Sequence, residues 1–442
     1  MRSNFQSNRK VLHIGVYVIA LIFFSEILFS WVEIYGYRIK AIILLLILIS
    51  LFIRFTVSPK KLAHYIKVPT PFLVFVVILS ILVLITNVYN DVSPFDVLRF
   101  FSFILPSILI PYFIKDYRSL YKIMNLILLS LCFSVLFSFL QLFFGETFIP
   151  YYHLPKNIVA ATGHTFSLEF RERMPGLSIT GLHQSYLLSC FLPMLVAFIN
   201  IHFKKTMAKY TIILFLMTGL VFTFTRTAIF LGIGTSIIVF LLYKRGKFQY
   251  FILTSLTVFL LFFLFMNFSG KNYERFTFSG INHNINNRLA LILYGFQVGW
   301  DSNFWFGNKH LDKDSLIFDR TYANMAPRKV PLLGELFPSR IDYPHNIFAD
   351  TLIKYGFVFL VFTVLLFLYL IYIYRKTISY PYLTAENRYM LRGVLFSFFA
   401  FAGSAFFHNI DITSDFNFWL LTGILLTFHN LVIGTTKKRL NK

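Results

Sequence analysis

Apolar residues run along this chain in stretches of 16 to 29, most of them closed by a small cluster of Lys or Arg. A bilayer core of roughly 30 Å asks this of helices that cross it. The pattern predicts an all-α, polytopic integral membrane protein with about twelve spans, near 11–31, 39–57, 71–88, 95–114, 123–144, 178–201, 210–225, 227–242, 249–267, 346–374, 393–410 and 416–434. Two of them, 210–225 and 227–242, have 16 residues each, about 24 Å of helix and short for the core. They meet at Thr225-Arg226-Thr227, so the turn between them is expected to lie below the membrane surface. The whole chain, 1–442, reads as one membrane domain with a large polar loop at 269–345. Inside that loop Asn287–Gly295 is expected to form a short amphipathic helix, and Pro327, Pro331 and Pro338 punctuate the remainder.

Composition supports the membrane reading. The chain is 57% hydrophobic and 14% charged, far from the charged share of a soluble domain. Its net charge of +22 is spread over short loops, which reports topology and does not suggest nucleic acid. Assigning all 41 Lys and Arg to the two sides puts 24 on the side of the N-terminus in seven short clusters, and nine of the other 17 fall in the long loop. Both termini are therefore expected in the cytoplasm, with the loops at 145–177 and 269–345 outside. The run after Arg2, Arg9 and Lys10 has no small-residue cleavage site and reads as an uncleaved first span. Cys132 and Cys190 both lie in apolar runs, so neither a disulfide framework nor a metal site is indicated.

The candidate chemistry gathers on the outer side. Arg173 precedes the sixth span, Arg226 sits in the short hairpin, Arg288 in the amphipathic segment, and His345 at the start of the tenth span, where Tyr343-Pro344-His345-Asn346 makes a helix start. An arginine at mid-depth costs about 2.5–3.5 kcal/mol on insertion scales and less near the interface, so Arg226 wants an anion or a water-filled cavity. A guanidinium fork matches phosphate oxygens, and the membrane ligand that carries a diphosphate is a polyprenyl-linked sugar. Each residue also has a plainer reading. His345 fits an interfacial residue beside an Asn346 cap, Arg226 a snorkelling anchor, and Arg288 a headgroup contact. Asp350 and Lys354, four apart, are expected to pair. Trp300 and Trp305 are candidates for stacking on sugar rings. His183, His408 and Asp411 receive no role.

Taken in order, Thr225-Arg226-Thr227-Ala228 before an apolar span, Asn287-Arg288-Leu289 opening an amphipathic helix, and His345-Asn346 followed by Gly356 resemble the bacterial O-antigen ligase and polymerase superfamily. Arg173-Met174-Pro175-Gly176, leading through Gly181 into the sixth span, is similar to that family's approach to its middle helices, and the resemblance covers roughly 170–434. It implies an inverting, metal-independent glycosyltransferase without cofactor, acting at the outer face of the inner membrane. The partners would be an undecaprenyl-diphosphate-linked glycan donor, a glycan acceptor and membrane lipids, with a chain-length regulator as a possible further one. Arg226 and Arg288, with Arg173, would hold the diphosphate and His345 would activate the acceptor hydroxyl. Phe359 stands where the ligase pattern often has a small residue or tyrosine, which favours the polymerase over the ligase. A flippase or transporter is the alternative from another class. Against it stand the lack of acidic or broken-helix sites in mid-span and the absence of an internal repeat. The helix dipole at the start of the tenth span would keep His345 neutral, and its first amides would favour a phosphate.

Overall fold

The computed structural model describes residues 22–23, 33–34, 37–38, 68–92, 96–148, 174–178, 181–242, 278–309, 328–330, 334–336, 346–407 and 410–440. Among these the chain is overwhelmingly helical. In order the helices are α1 (Thr70–Tyr89), α2 (Asp96–Phe113), α3 (Tyr117–Phe144), α4 (Gly181–His202), α5 (Thr206–Phe222) and α6 (Arg226–Leu241). There follow α7 (Phe278–Asn303), α8 (Ile347–Ile378), α9 (Ala385–Phe407) and α10 (Phe416–Leu440). Two short antiparallel ribbons accompany them. β1 (Glu33–Ile34) pairs with β2 (Tyr37–Arg38), and β3 (Arg328–Val330) with β4 (Gly334–Leu336).

Six of the described helices are long and apolar enough to cross a membrane, and three shorter apolar ones lie in α2, α5 and α6. Nine of the expected spans fall on these helices. The spans expected at 39–57 and 249–267, and that at 11–31 except for Ile22 and Phe23, lie outside the described residues. Phe23 is buried in the core, its ring 5.5 Å from that of Phe191.

The helices are apolar on both faces, and their polar residues turn inwards. On α1, Val77, Ile81 and Leu84 are exposed while Ser80, Thr86 and Asn87 are buried, and on α3 Leu129 and Phe133 face out while Ser130, Ser134 and Ser138 face in. In water this arrangement would be inverted. It suits hydrocarbon, where each hydroxyl must find a partner inside the bundle; Ser80 donates to Val76 O and Ser130 to Leu126 O.

At the centre stand α4 and α10, each almost wholly buried. α4 packs against α5, α6 and α9, while α10 packs against α2, α8 and α9. Small residues let the backbones approach. A Cβ on Gly403 of α9 would lie 2.7 Å from Leu231 of α6, and one on Gly423 of α10 would lie 2.6 Å from Pro106 O of α2.

The segment expected as a surface loop departs most from the sequence reading. The short helix anticipated at 287–295 is part of the 26-residue α7. The C-terminal half of α7 does not stay at the surface: it packs along α8, and a Cβ on Gly299 would meet Leu352 at 2.7 Å. Apolar residues on that half drive the docking, since Ala290, Leu291, Tyr294 and Val298 are all buried.

Candidate functional site

Arg226 was expected within a turn; it is instead the first residue of α6. The turn is Thr223-Phe224-Thr225, all three buried, which agrees with a hairpin drawn into the protein. Phe224 takes a positive φ of 49° to make it. Thr223 Oγ1 donates to Leu220 O and Thr225 Oγ1 to Thr223 O. As N-cap of α6, Thr225 offers no side-chain cap bond, and Arg226 itself is half-buried.

Against this hairpin lies the segment Met174–Ser178. Met174 N donates to Phe222 O at 3.1 Å. The next residues are bolted between α3 and α4: Gln141 both donates to Gly176 O and accepts from Gly176 N, and Leu177 N donates to Ser134 Oγ. Ser134 and Ser178 both donate to Gln184 Oε1. Gly176 has φ +59°, and a Cβ there would lie 2.6 Å from Ser134 O. Arg173, the residue before this segment, lies outside the described residues.

The second helix start belongs to α8. His345 also lies outside the described residues, but Asn346 within them caps the helix. Its Oδ1 accepts from Phe348 N at 3.0 Å and Ala349 N at 3.1 Å, and its Nδ2 donates to Phe406 O near the end of α9. This corrects one expectation. Two of the first-turn amides thought free for a phosphate are already occupied by the cap.

Ten residues into the helix the backbone breaks at Gly356, with φ 80° and ψ 178°. The helical bond that Phe357 N would make to Ile353 O is replaced by two bonds to the turn after α7. Phe357 N donates to Phe304 O at 2.7 Å, and Ile353 O accepts from Asn308 N at 2.5 Å. Room for this comes from two glycines: a Cβ on Gly356 would overlap the Trp305 carbonyl, and one on Gly307 (φ +68°) would lie 2.5 Å from Lys354 C. α8, expected as one continuous span over 346–374, is thus interrupted near its start, where it also buries Asp350 and Lys354. The break lies towards one end, however. The stretch 357–378 beyond it would alone reach about 33 Å, enough to cross the core.

The Asp350–Lys354 pair forms as the spacing predicted, at 3.0 Å. It belongs to a larger polar cluster that the sequence reading did not find. Tyr355 Oη donates to Asp411 Oδ2 at 3.0 Å and lies 2.7 Å from Thr413 Oγ1. Lys309 Nζ lies 4.8 Å over the Tyr355 ring and donates to Asn87 Oδ1. Lys309 N donates to Asn90 Oδ1. Burial alone would raise the Asp411 carboxyl; Lys354 and the hydrogen bonds from Thr413 and Tyr355 outweigh it and hold it below the ordinary carboxylate value. Signals for this cluster were polar residues at span ends and the two glycines, 307 and 356.

Both helix starts meet the same end of α9. Asn346 bonds Phe406, while Leu231, five residues into α6 after Arg226, packs on Gly403, leaving Arg226 about 7.5 Å further along the axis. α7 runs in the same direction as α8, with 299 beside 352 and 304 beside 357. Arg288, half-buried, lies about 16 Å back from Gly299 and hence beyond the first residue of α8. Trp300 and Trp305 are 65% and 57% exposed and group with Phe304 and Phe357.

The family model for O-antigen ligase matches residues 211–364. The match starts in α5 and ends in α8, enclosing Arg226, Arg288, His345 and Gly356 and leaving Arg173 outside. It supports the O-antigen ligase/polymerase superfamily. Among curated proteins none matches the chain.

Proposed function

We propose that this membrane enzyme of O-antigen ligase/polymerase type joins undecaprenyl-diphosphate-linked oligosaccharide repeat units into O-antigen or capsular polysaccharide. The observation that carries the reading is that the family match encloses two helix starts, those of α6 and α8, which meet one end of α9. At the first an arginine opens a helix whose N-cap offers no side-chain bond. At the second a histidine precedes a helix two of whose first amides are taken by Asn346.

That contrast divides the work. The diphosphate belongs at α6, where Arg226 joins the positive end of the dipole, with Arg173 and Arg288 as further cationic ligands. His345 takes the proton from the acceptor hydroxyl. The oxygen attacks the anomeric carbon from the face opposite the leaving group, the C1–O bond to phosphate breaks with its electron pair, and configuration inverts. The leaving diphosphate is already a stable anion, and its growing charge is met by guanidinium groups. No general acid or carboxylate pair is then needed, and no metal either. The positive-inside distribution supports a reading in which both termini are cytoplasmic and the site faces outwards from the inner membrane. A chain-length regulator fits as a partner.

A ligase would use the same donor but deliver the glycan to lipid A core. Deleting the gene and resolving the surface polysaccharide on a gel separates the two: core plus one unit supports polymerase, loss of every unit supports ligase, and an unchanged ladder sinks both. For Arg226→Ala and His345→Ala we expect inserted protein with polymer formation reduced by at least about 100-fold. Normal polymer length in the His345 variant would remove the general base.

A further inference from the structure

The stretch Ile347–Tyr355 is a short helix separate from the rest of α8. At Gly356 its backbone bonds are diverted to the turn after α7, so the ladder of helical hydrogen bonds does not carry its direction across the break. Three other elements do. α9 holds its start through Asn346 and Phe406. The turn after α7 holds its end, through Asn308 on Ile353 and Lys309 over Tyr355, and is itself tied to α1 by Asn87 and Asn90. The turn between α9 and α10 holds the hydroxyl of Tyr355 through Asp411 and Thr413. Thr413 in turn braces the same carboxylate, with N and Oγ1 both donating to Asp411 Oδ1 at 2.8 and 2.7 Å.

Tyr355 is the point where the last two of these holds meet. Its ring stacks on Phe359, across the break, at 4.6 Å. Its ring face carries Lys309 and its tip carries Asp411. A tyrosine whose ring faces and hydroxyl are engaged by different elements fixes an angle, as a single hydrogen bond would not.

We propose that Tyr355 and Asp411 are positioning residues: they set the direction of Ile347–Tyr355 and so place His345, the residue just before its cap, relative to Arg226. This rests on the transfer reading given above. Neither residue touches the reacting atoms; each acts through the short helix. Misplacement of a reacting group by about 1 Å can cost 100-fold in rate, so a loosened angle is felt in turnover and not in donor binding, which the arginines keep.

The test uses the full-length protein in lipid nanodiscs, comparing wild type with Tyr355→Phe, Asp411→Asn and Asp411→Glu. Amide hydrogen exchange is read over Ile347–Tyr355 and, as internal reference, over 357–378; transfer is read with a lipid-diphosphate-linked repeat unit. We expect exchange of the short helix to rise about tenfold in Tyr355→Phe and Asp411→Asn with the reference unchanged. We also expect kcat to fall about tenfold and KM for the donor to stay within about twofold. Asp411→Glu, which keeps the charge, should recover part of both. Unchanged exchange overturns the proposal, and so does faster exchange with normal turnover, or a raised KM at constant kcat. Tyr355→Phe loses only a hydroxyl and keeps the ring contacts, so it decides the matter if Asp411→Asn does not fold. Wild-type protein that transfers nothing would instead overturn the transfer reading, and the exchange arm would still report whether the clamp exists.

Discussion

The starts of α6 and α8 meet one end of the same helix and are built in opposite ways. α6 opens on a cation, its N-cap makes no side-chain bond, and the turn before it relies on buried threonines and a strained Phe224. α8 opens on a cap that satisfies two amides and reaches across to α9, with an acidic residue in its first turn. A helix start that carries an arginine and lacks a side-chain cap is the kind that suits an anion. One whose cap already holds two first-turn amides suits a phosphate less and gives a fixed base to the residue before it. The proposed division between diphosphate and general base rests on this difference.

The comparison breaks most visibly at the joint behind α8. Gly356→Ala forces a side chain into a backbone region reserved for glycine and into the Trp305 carbonyl. We expect a loss of more than about 3 kcal/mol, or no folded protein, read as Tm and yield in detergent; wild-type stability would mean the joint rearranges without cost. Next come the two caps. Asn346→Ala should cost about 1–2 kcal/mol, and Thr225→Ala, which loses its bond to Thr223 O but no cap, about 0.5–1 kcal/mol, measured by denaturant unfolding in mild detergent. Equal losses would erase the distinction between the two starts. Smallest is a pH effect. The Asp411 carboxyl sits below its ordinary value, so the stability it contributes is fully present above the unfolded value of about 3.9 and is lost as pH falls through the folded one. The Tm difference between wild type and Asp411→Asn should therefore hold constant from neutral pH down to about 4 and close below it. A gap that closes near neutrality would assign the effect to another group.

Much of the scaffold was legible in the sequence because hydrocarbon imposes a coarse rule: runs of sufficient length become helices. The spans over α1 to α6 and α8 to α10 were read in this way, and the Asp350–Lys354 pair followed from helical spacing alone. What escaped was contact between distant segments. Asn287–Gly295 reads as amphipathic, but nothing local says that the helix continues to Asn303 or that the turn after it enters a gap in α8. Gly356 stood out as a glycine within an apolar run, yet its role depends on Gly307, 49 positions earlier. Asp411 looked like an idle loop carboxylate until Tyr355 was brought to it. Of the residues expected at the site, Arg226 and Arg288 fall within the described residues, at the first position of α6 and in α7, while Arg173 and His345 lie outside them.

The segment Met174–Ser178 is held independently of the chain that precedes it. Met174 N is pinned to Phe222 O, and Gln141 and Ser134 grip Gly176 and Leu177. A change of length or sequence upstream of Met174 would therefore leave this anchor in place against the hairpin that bears Arg226, because each of these bonds comes from the helices around it.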